Sequence, residues 1–294
     1  MDPTLALELC RFSHGASLML LWGACAYLCF LVPSALADIV WRISAGSFFL
    51  ITVIAVLTTL ISLPAATATI GSGWNDGLDI GTIRDVLIDT SVGRAWQAQA
   101  VAAALMISAF LVPESRRRLG LTLASGLGLA ALSLTGHASM LEGWLRQAHR
   151  ANDVFHVLTG GAWLGALVPL IPILRLLGRP ECRADALLAL RRFSTAGHWA
   201  VALVILSGVV NTMLILKQLP TNWSSPYQRL LAIKIALVAG MALLAIVNRY
   251  FFVPWMSRNP GRALQALRLG SIAEIVIGVA VIGLVAVFGM MEPV

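Results

Sequence analysis

Leu269 to Met290 reads LGSIAEIVIGVAVIGLVAVFGM, a run of 22 residues in which Glu274 is the one charged side chain. A helix needs about 20 mainly apolar residues to cross roughly 30 Å of hydrocarbon, so this run is long enough to span a bilayer. It is also too long and too unalternating for a barrel strand. Working outward, seven more runs of this kind precede it: Ser13 to Val32, Ile43 to Leu63, Ala95 to Val112, Leu119 to Gly136, Val154 to Leu174, Phe193 to Leu216 and Leu230 to Val247. Hydrophobic residues make up 59% of the 294 and charged ones 12%, against about 25% charged in soluble chains. The expected fold is an all-α integral membrane protein, a bundle of about eight transmembrane helices read as one polytopic domain over residues 1–294. Ala35-Leu36-Ala37 resembles a signal-peptidase site, but the run before it exceeds a usual signal core of about 7 to 15 residues. That run is read as a retained first helix.

Basic loops stay on the cytoplasmic side of a membrane. With eight helices, thirteen arginines fall on one side: Arg42, the group from Arg116 to Arg118, the group from Arg175 to Arg192 and the group from Arg249 to Arg268. Seven basic residues fall on the other, and Lys234 lies inside a helix to complete the 21. Both termini are therefore expected to face the periplasm. The net charge of +7 calls for no nucleic acid, because the excess sits in short loops beside anionic lipid headgroups. The longest outward connection, residues 64–94, carries Asp76, Asp79, Asp85 and Asp89, with Ile80 to Ile88 reading as a short interfacial helix. Those carboxylates either gather cations or simply solvate a loop. Gly160, Gly161, Gly165, Gly126 and Gly128 are expected to let helices approach closely, and Trp41, Trp144, Trp223 and Trp255 to sit as interfacial anchors.

Ionisable groups inside a membrane are costly, so each is a functional candidate. Four of the five histidines, His14, His137, His149 and His156, gather toward the outward ends of their helices, with Met140 three residues after His137. Imidazole binds copper, zinc, iron and haem, and thioether sulfur selects the softer copper(I). A mixed His/Met site at one face points to a copper ion. Asp153, one turn before His156, either orients that imidazole, supplies an oxygen ligand or is a helix-entry carboxylate favoured by the dipole. His14, Cys25 and Cys29 share one face of the first helix within about 60°, a stripe able to conduct a soft cation or simply to pack. Deeper on the opposite side, His198, Glu274 and Asn248 lie at similar depth, which makes a His198–Glu274 contact or a Glu274–Arg249 pair geometrically reasonable. They form an ion pair or an inner metal or proton site.

The ordered set Thr90-Ser91-Val92-Gly93-Arg94-Ala95-Trp96, Gly136-His137-Ala138, His156 through Gly165, Arg192-Phe193-Ser194, and Lys234 through Asn248-Arg249 to Glu274 resembles the copper resistance protein D family, CopD. The likeness covers most of the chain. It implies a multi-pass bacterial inner-membrane protein of copper uptake or tolerance and, since no CopC-like β-domain is present here, a separate periplasmic CopC-type copper-binding partner. The tail Met291-Glu292-Pro293-Val294 departs from the proline pair that relatives tend to show, which leaves Met290 and Met291 without support from the family pattern.

The leading expectation is a copper-binding membrane protein that takes copper at a periplasmic site of His14, His137 and His156, with Met140, His149 or Asp153 in support, and moves it inward. The alternative is a b-type haem electron-transfer protein with one outer haem held by two of His14, His137 and His156. Neither GxSxG nor HExxH occurs, and the chain reads as a transporter or metal binder rather than an enzyme. The orientation is checked by alkaline phosphatase fusions: the enzyme is expected to be active when fused after Pro293 and inactive when fused after Arg117. The reverse pattern overturns the charge argument.

Overall fold

The computed structural model describes residues 1–135 and 143–293, and among these no strand occurs. The helices in chain order are α1 (Pro3–Phe30), α2 (Ser34–Ile70), α3 (Trp74–Leu78), α4 (Ile80–Asp89), α5 (Ser91–Ser108), α6 (Glu114–Leu132), α7 (Gly143–Leu176), α8 (Pro180–Leu216), α9 (Pro226–Val247), α10 (Val253–Trp255) and α11 (Pro260–Phe288), with a π turn at Asn248–Phe252 between α9 and α10. Each of the eight apolar runs overlaps one of these helices, and Gly136, at the end of the fourth run, lies outside the described residues. Among the described residues six segments are long and apolar enough to cross a membrane: α1, α2, α7, α8, the stretch from Pro226 to Trp255, and α11. The runs from Ala95 and Leu119 form α5 and α6, which are shorter, at 18 and 19 residues.

Local chemistry sets the helix starts. Asp2 accepts from the Leu5 N–H at 3.0 Å with Pro3 in the first turn, and Thr90 accepts from the Gly93 N–H at 3.0 Å, both filling donors that a helix start leaves open. Pro64 does not stop α2, which runs on to Ile70, so the connection read from residue 64 begins at Gly71. Within it, Asp76 accepts from the Ser72 N–H at 2.5 Å. Asp79 caps α4 by accepting from the backbone N–H of Thr82 at 2.7 Å and its hydroxyl at 2.8 Å. The Thr82 backbone bond, then its hydroxyl, hold the Asp79 carboxyl below the usual carboxylate range. These two carboxylates build turns. The short helix expected over 80–88 is α4, but its buried residue is Val86, and Ile80 and Ile88 are exposed.

Helix α1 is the hub, packed against α2, α6, α7 and α11, while α8 lies along α7 and α9 along α11. Lipid supplies no hydrophobic drive for helix association, so close backbone approach through small residues does much of the work. At the α1–α7 crossing an added Cβ on Gly23 would stand 2.1 Å from the Gly161 oxygen, and one on Gly165 would stand 2.5 Å from the Met19 oxygen. Trp22 wedges in beside them, donating from Nε1 to the Leu158 carbonyl at 2.8 Å and covering Gly126 and Gly161. Gly160 differs from its neighbours, since nothing lies nearer its Cβ position than Val204 at 3.9 Å. Trp144 and Trp223 are exposed as expected of interfacial anchors, but Trp41 is a core residue, 3% exposed and stacked on Phe48. Arg11 lies against Gly289, so the first and last helices bring both chain ends to one end of the bundle.

Gly165→Ala is expected to lower stability by about 1–3 kcal/mol through overpacking, while Gly160→Ala is expected to be close to neutral. Thermal unfolding of both variants in one detergent checks this, and equal midpoints would refute the crossing as the point of tightest packing.

Candidate functional site

The crossing of α1 and α7 turns their histidines to opposite sides. On α1, His14 faces α2 and α5. Its Nδ1 lies 3.1 Å from the Thr58 hydroxyl and 3.3 Å from the Ala55 carbonyl, and its Nε2 lies 3.0 Å from Gln99 Oε1. The Gln99 amide nitrogen donates to the Gly128 carbonyl at 2.9 Å, which fixes Oε1 toward the ring and makes Nε2–H the donor. One turn earlier, Cys10 donates from Sγ to the Thr58 carbonyl at 3.0 Å. This set joins α1, α2, α5 and α6. Cys10, Thr58 and Gln99 were not legible as partners of His14, although a glutamine and a threonine inside apolar runs were a signal that a polar contact was needed there.

On α7, His149, Asp153 and His156 stand at spacings of four and three residues, within about 60° of one face at 100° per residue. His156 Nδ1 lies 2.9 Å from the Ser207 hydroxyl on α8. That hydroxyl gives its own proton to the Leu203 carbonyl at 2.6 Å, so Nδ1–H is the donor and Nε2 keeps its lone pair. Gly208 leaves the space for the ring, with His156 Cε1 3.3 Å from the position of an added Cβ. Asp153 accepts from Asn211 at 3.2 Å, and Asn152 donates to Asn211 Oδ1 at 2.7 Å and to the Ser207 carbonyl at 2.9 Å. Lys234 on α9 is within electrostatic reach of both Asp153 and His156. His149 is 2% exposed, and its Nδ1 is buried without a hydrogen-bond partner among the described residues, a vacancy that a buried polar atom rarely keeps.

His14 and His156 are thus not brought together, and His137 and Met140 lie outside the described residues. Among the described residues no three His, Cys, Asp or Glu side chains stand close enough to hold a metal ion. The stripe on α1 does not become a shared lining either: His14 and Cys29 face different neighbours, Cys29 lying 3.9 Å from the Thr122 hydroxyl on α6, and Cys25 between them is closed into the apolar core.

At the arginine-rich end the π turn directs consecutive polar side chains to different helices. Asn248 donates to Glu274 Oε1 on α11 at 2.8 Å, with Trp163 also in reach of that carboxyl. Gly270 makes the room, since an added Cβ would stand 2.3 Å from Asn248 Oδ1. Arg249 donates to the Ser194 hydroxyl on α8 and lies 3.2 Å from His198 Nδ1, while Tyr250 OH lies 3.3 Å from His198 Nε2. The expected His198–Glu274 contact and Glu274–Arg249 pair do not form. Asn248 takes Glu274, Arg249 takes Ser194 and Tyr250 takes His198, whose Nδ1–H donates to the Ser194 carbonyl at 2.6 Å, because the widened turn aims neighbouring residues apart.

Residues 1–147 match the family model of the copper resistance protein D-like N-terminal domain, and residues 187–288 match that of copper resistance protein D. Inner membrane protein YebZ of Escherichia coli (strain K12) is 33% identical over 290 residues, 96% of this chain and 97% of its own length. Copper resistance protein D of Pseudomonas syringae pv. tomato is 33% identical over 234 residues, 76% of each chain. Copper transport protein CutJ of Bacillus subtilis (strain 168) is 28% identical over 244 residues, which are 79% of this chain and 43% of that longer protein. No solved structure matches the chain. With a relative aligned from end to end and family models on both halves, the chain belongs to the copper resistance protein D family.

Proposed function

We propose that the chain takes copper at the end of the bundle that bears both termini, on the α7 face of His149, Asp153 and His156, and moves it across the membrane. It is a multi-pass inner-membrane protein of a copper-related family, and we take α5 and α6 as two further crossings, which makes eight. The observation that carries the reading is the pair of available imidazole nitrogens on one helix face: His149 Nδ1, buried and without a partner among the described residues, and His156 Nε2, freed because Ser207 holds the other nitrogen. A ligating histidine whose second nitrogen is bonded elsewhere is oriented before the metal arrives, and imidazole suits copper. His137 and Met140, a few residues before α7 in sequence, extend the ligand set. His14 joins it only by giving up its bonds to Thr58 and Gln99. Delivery by a separate CopC-type carrier belongs to the same reading.

Metal analysis and an absorption spectrum of detergent-purified protein test it. Copper is expected at near stoichiometry in the wild type and lost in His149→Ala/His156→Ala. Ser207→Ala, which frees the His156 ring, is expected to weaken copper binding about tenfold. Copper retained in the double variant refutes the α7 site. A haem Soret band lost in that variant makes the protein a haem redox protein instead.

A further inference from the structure

We infer that the arginine-rich end of the bundle carries a binding site for an anionic phospholipid, seated between the C-terminal end of α7 and the first half of α11. A cavity of about 520 Å³ lies there. Its polar side is made by Arg175 and Arg268, helped by Gln265, and its apolar side by Leu264, Leu269 and Ile272. No carboxylate lines it, and neither arginine is ion-paired among the described residues.

Two guanidiniums without an acid are a ready partner for phosphate, which they bind through paired N–H donors. A zwitterionic headgroup would bring an ammonium into the same space with no carboxylate to receive it, so the fit is to a headgroup of net negative charge. Arg179 and Arg262, on either side in sequence, add to the field. The apolar side distinguishes a lipid from a soluble phosphate. Leu269, Ile272 and Val276 follow one face of α11 away from Arg268 and are 59%, 37% and 62% exposed, a ridge on which an acyl chain lies with its phosphate between the arginines. Basic pockets between membrane helices recognise anionic headgroups in this way. A free phosphate would leave the ridge unused.

The test needs no copper. The full chain is reconstituted in vesicles holding equal phosphatidylcholine and phosphatidylglycerol with a minor share of cardiolipin, extracted in mild detergent, and its retained lipid is measured by native mass spectrometry. The wild type is expected to keep anionic lipid in preference to phosphatidylcholine, and R175Q/R268Q to hold it about thirtyfold more weakly. R191Q, an exposed arginine of the same end outside the cavity, is expected to behave as wild type, and R268K, which keeps the charge but not the paired donors, to fall between the wild type and the double variant. An unchanged unfolding midpoint in R175Q/R268Q shows that its loss is not misfolding. Equal retention of phosphatidylcholine overturns the proposal, as does undiminished binding in the double variant or an equal loss in R191Q. Complete displacement of the lipid by millimolar inorganic phosphate also overturns it, by making this a soluble-anion site.

Discussion

The arrangement depends on how closely α1 and α7 pass one another. At Gly23, Gly161 and Gly165 the two backbones touch without a side chain between them, and Trp22 locks the crossing by bonding to the Leu158 carbonyl. Helices brought this near have no freedom to rotate about their own axes, because any turn would drive a Cβ of a neighbouring residue into backbone. The azimuth of every other residue on both helices follows. That is why His14 looks toward α2 and α5 while His156 looks toward α8, although both occupy the same half of the bundle. A looser crossing of the same helices would leave either histidine free to swing into the other's neighbourhood.

A second constraint works within this frame. A bilayer offers no water to a stray donor or acceptor, so polar side chains inside it are either satisfied by neighbours or reserved for something that binds. Around His14 the contacts close on both sides: Gln99 accepts from Nε2–H, the Thr58 hydroxyl stands against Nδ1, and Gly128 occupies Gln99 in turn. Around α7 satisfaction is incomplete, since among the described residues His149 keeps an unpartnered nitrogen and His156 is held by one nitrogen only. Two groups of similar composition thus differ in kind, one joining helices and the other held open.

The apolar runs made the helices legible, since hydropathy alone separates membrane segments from loops. It underestimated their lengths. Helix α8 begins at Pro180 and α11 at Pro260, well before the apolar runs that mark Phe193 and Leu269, because polar arginine-bearing turns continue a helix beyond the hydrocarbon although the hydropathy falls there. The histidines on α7 were legible as one face from their spacing of four and three. The direction of that face was not, because it is set by the glycine crossing and so by tertiary geometry. Gln99, Ser207 and Asn211 went unread because a neutral amide or hydroxyl in an apolar run carries no charge to mark it, yet Gln99 and Ser207 decide which nitrogen of His14 and His156 bears the proton, and Asn211 holds Asp153. At the other end, equal depth suggested that Glu274 would meet His198 or Arg249. Depth fixes height only, and the π turn at Asn248–Phe252 sets the bearing.

A π turn is what an α-helix becomes when one residue is added and neither end is permitted to move. In that light the five residues from Asn248 to Phe252 carry one residue more than regular winding would hold between the same two ends. Contacts on both sides already pinned the helix, with Asn248 fastened to α11 above and Arg249 and Tyr250 fastened to α8 below. Removing one residue would restore regular winding with both ends in place, but consecutive side chains would then leave the helix at even steps of about 100°, and the wider turn that aims Asn248 at α11 and Arg249 and Tyr250 at α8 would be lost. The length of this segment is therefore as tightly specified as its chemistry, and a chain of this fold can exchange side chains along α9 far more freely than it can lose a single peptide unit there.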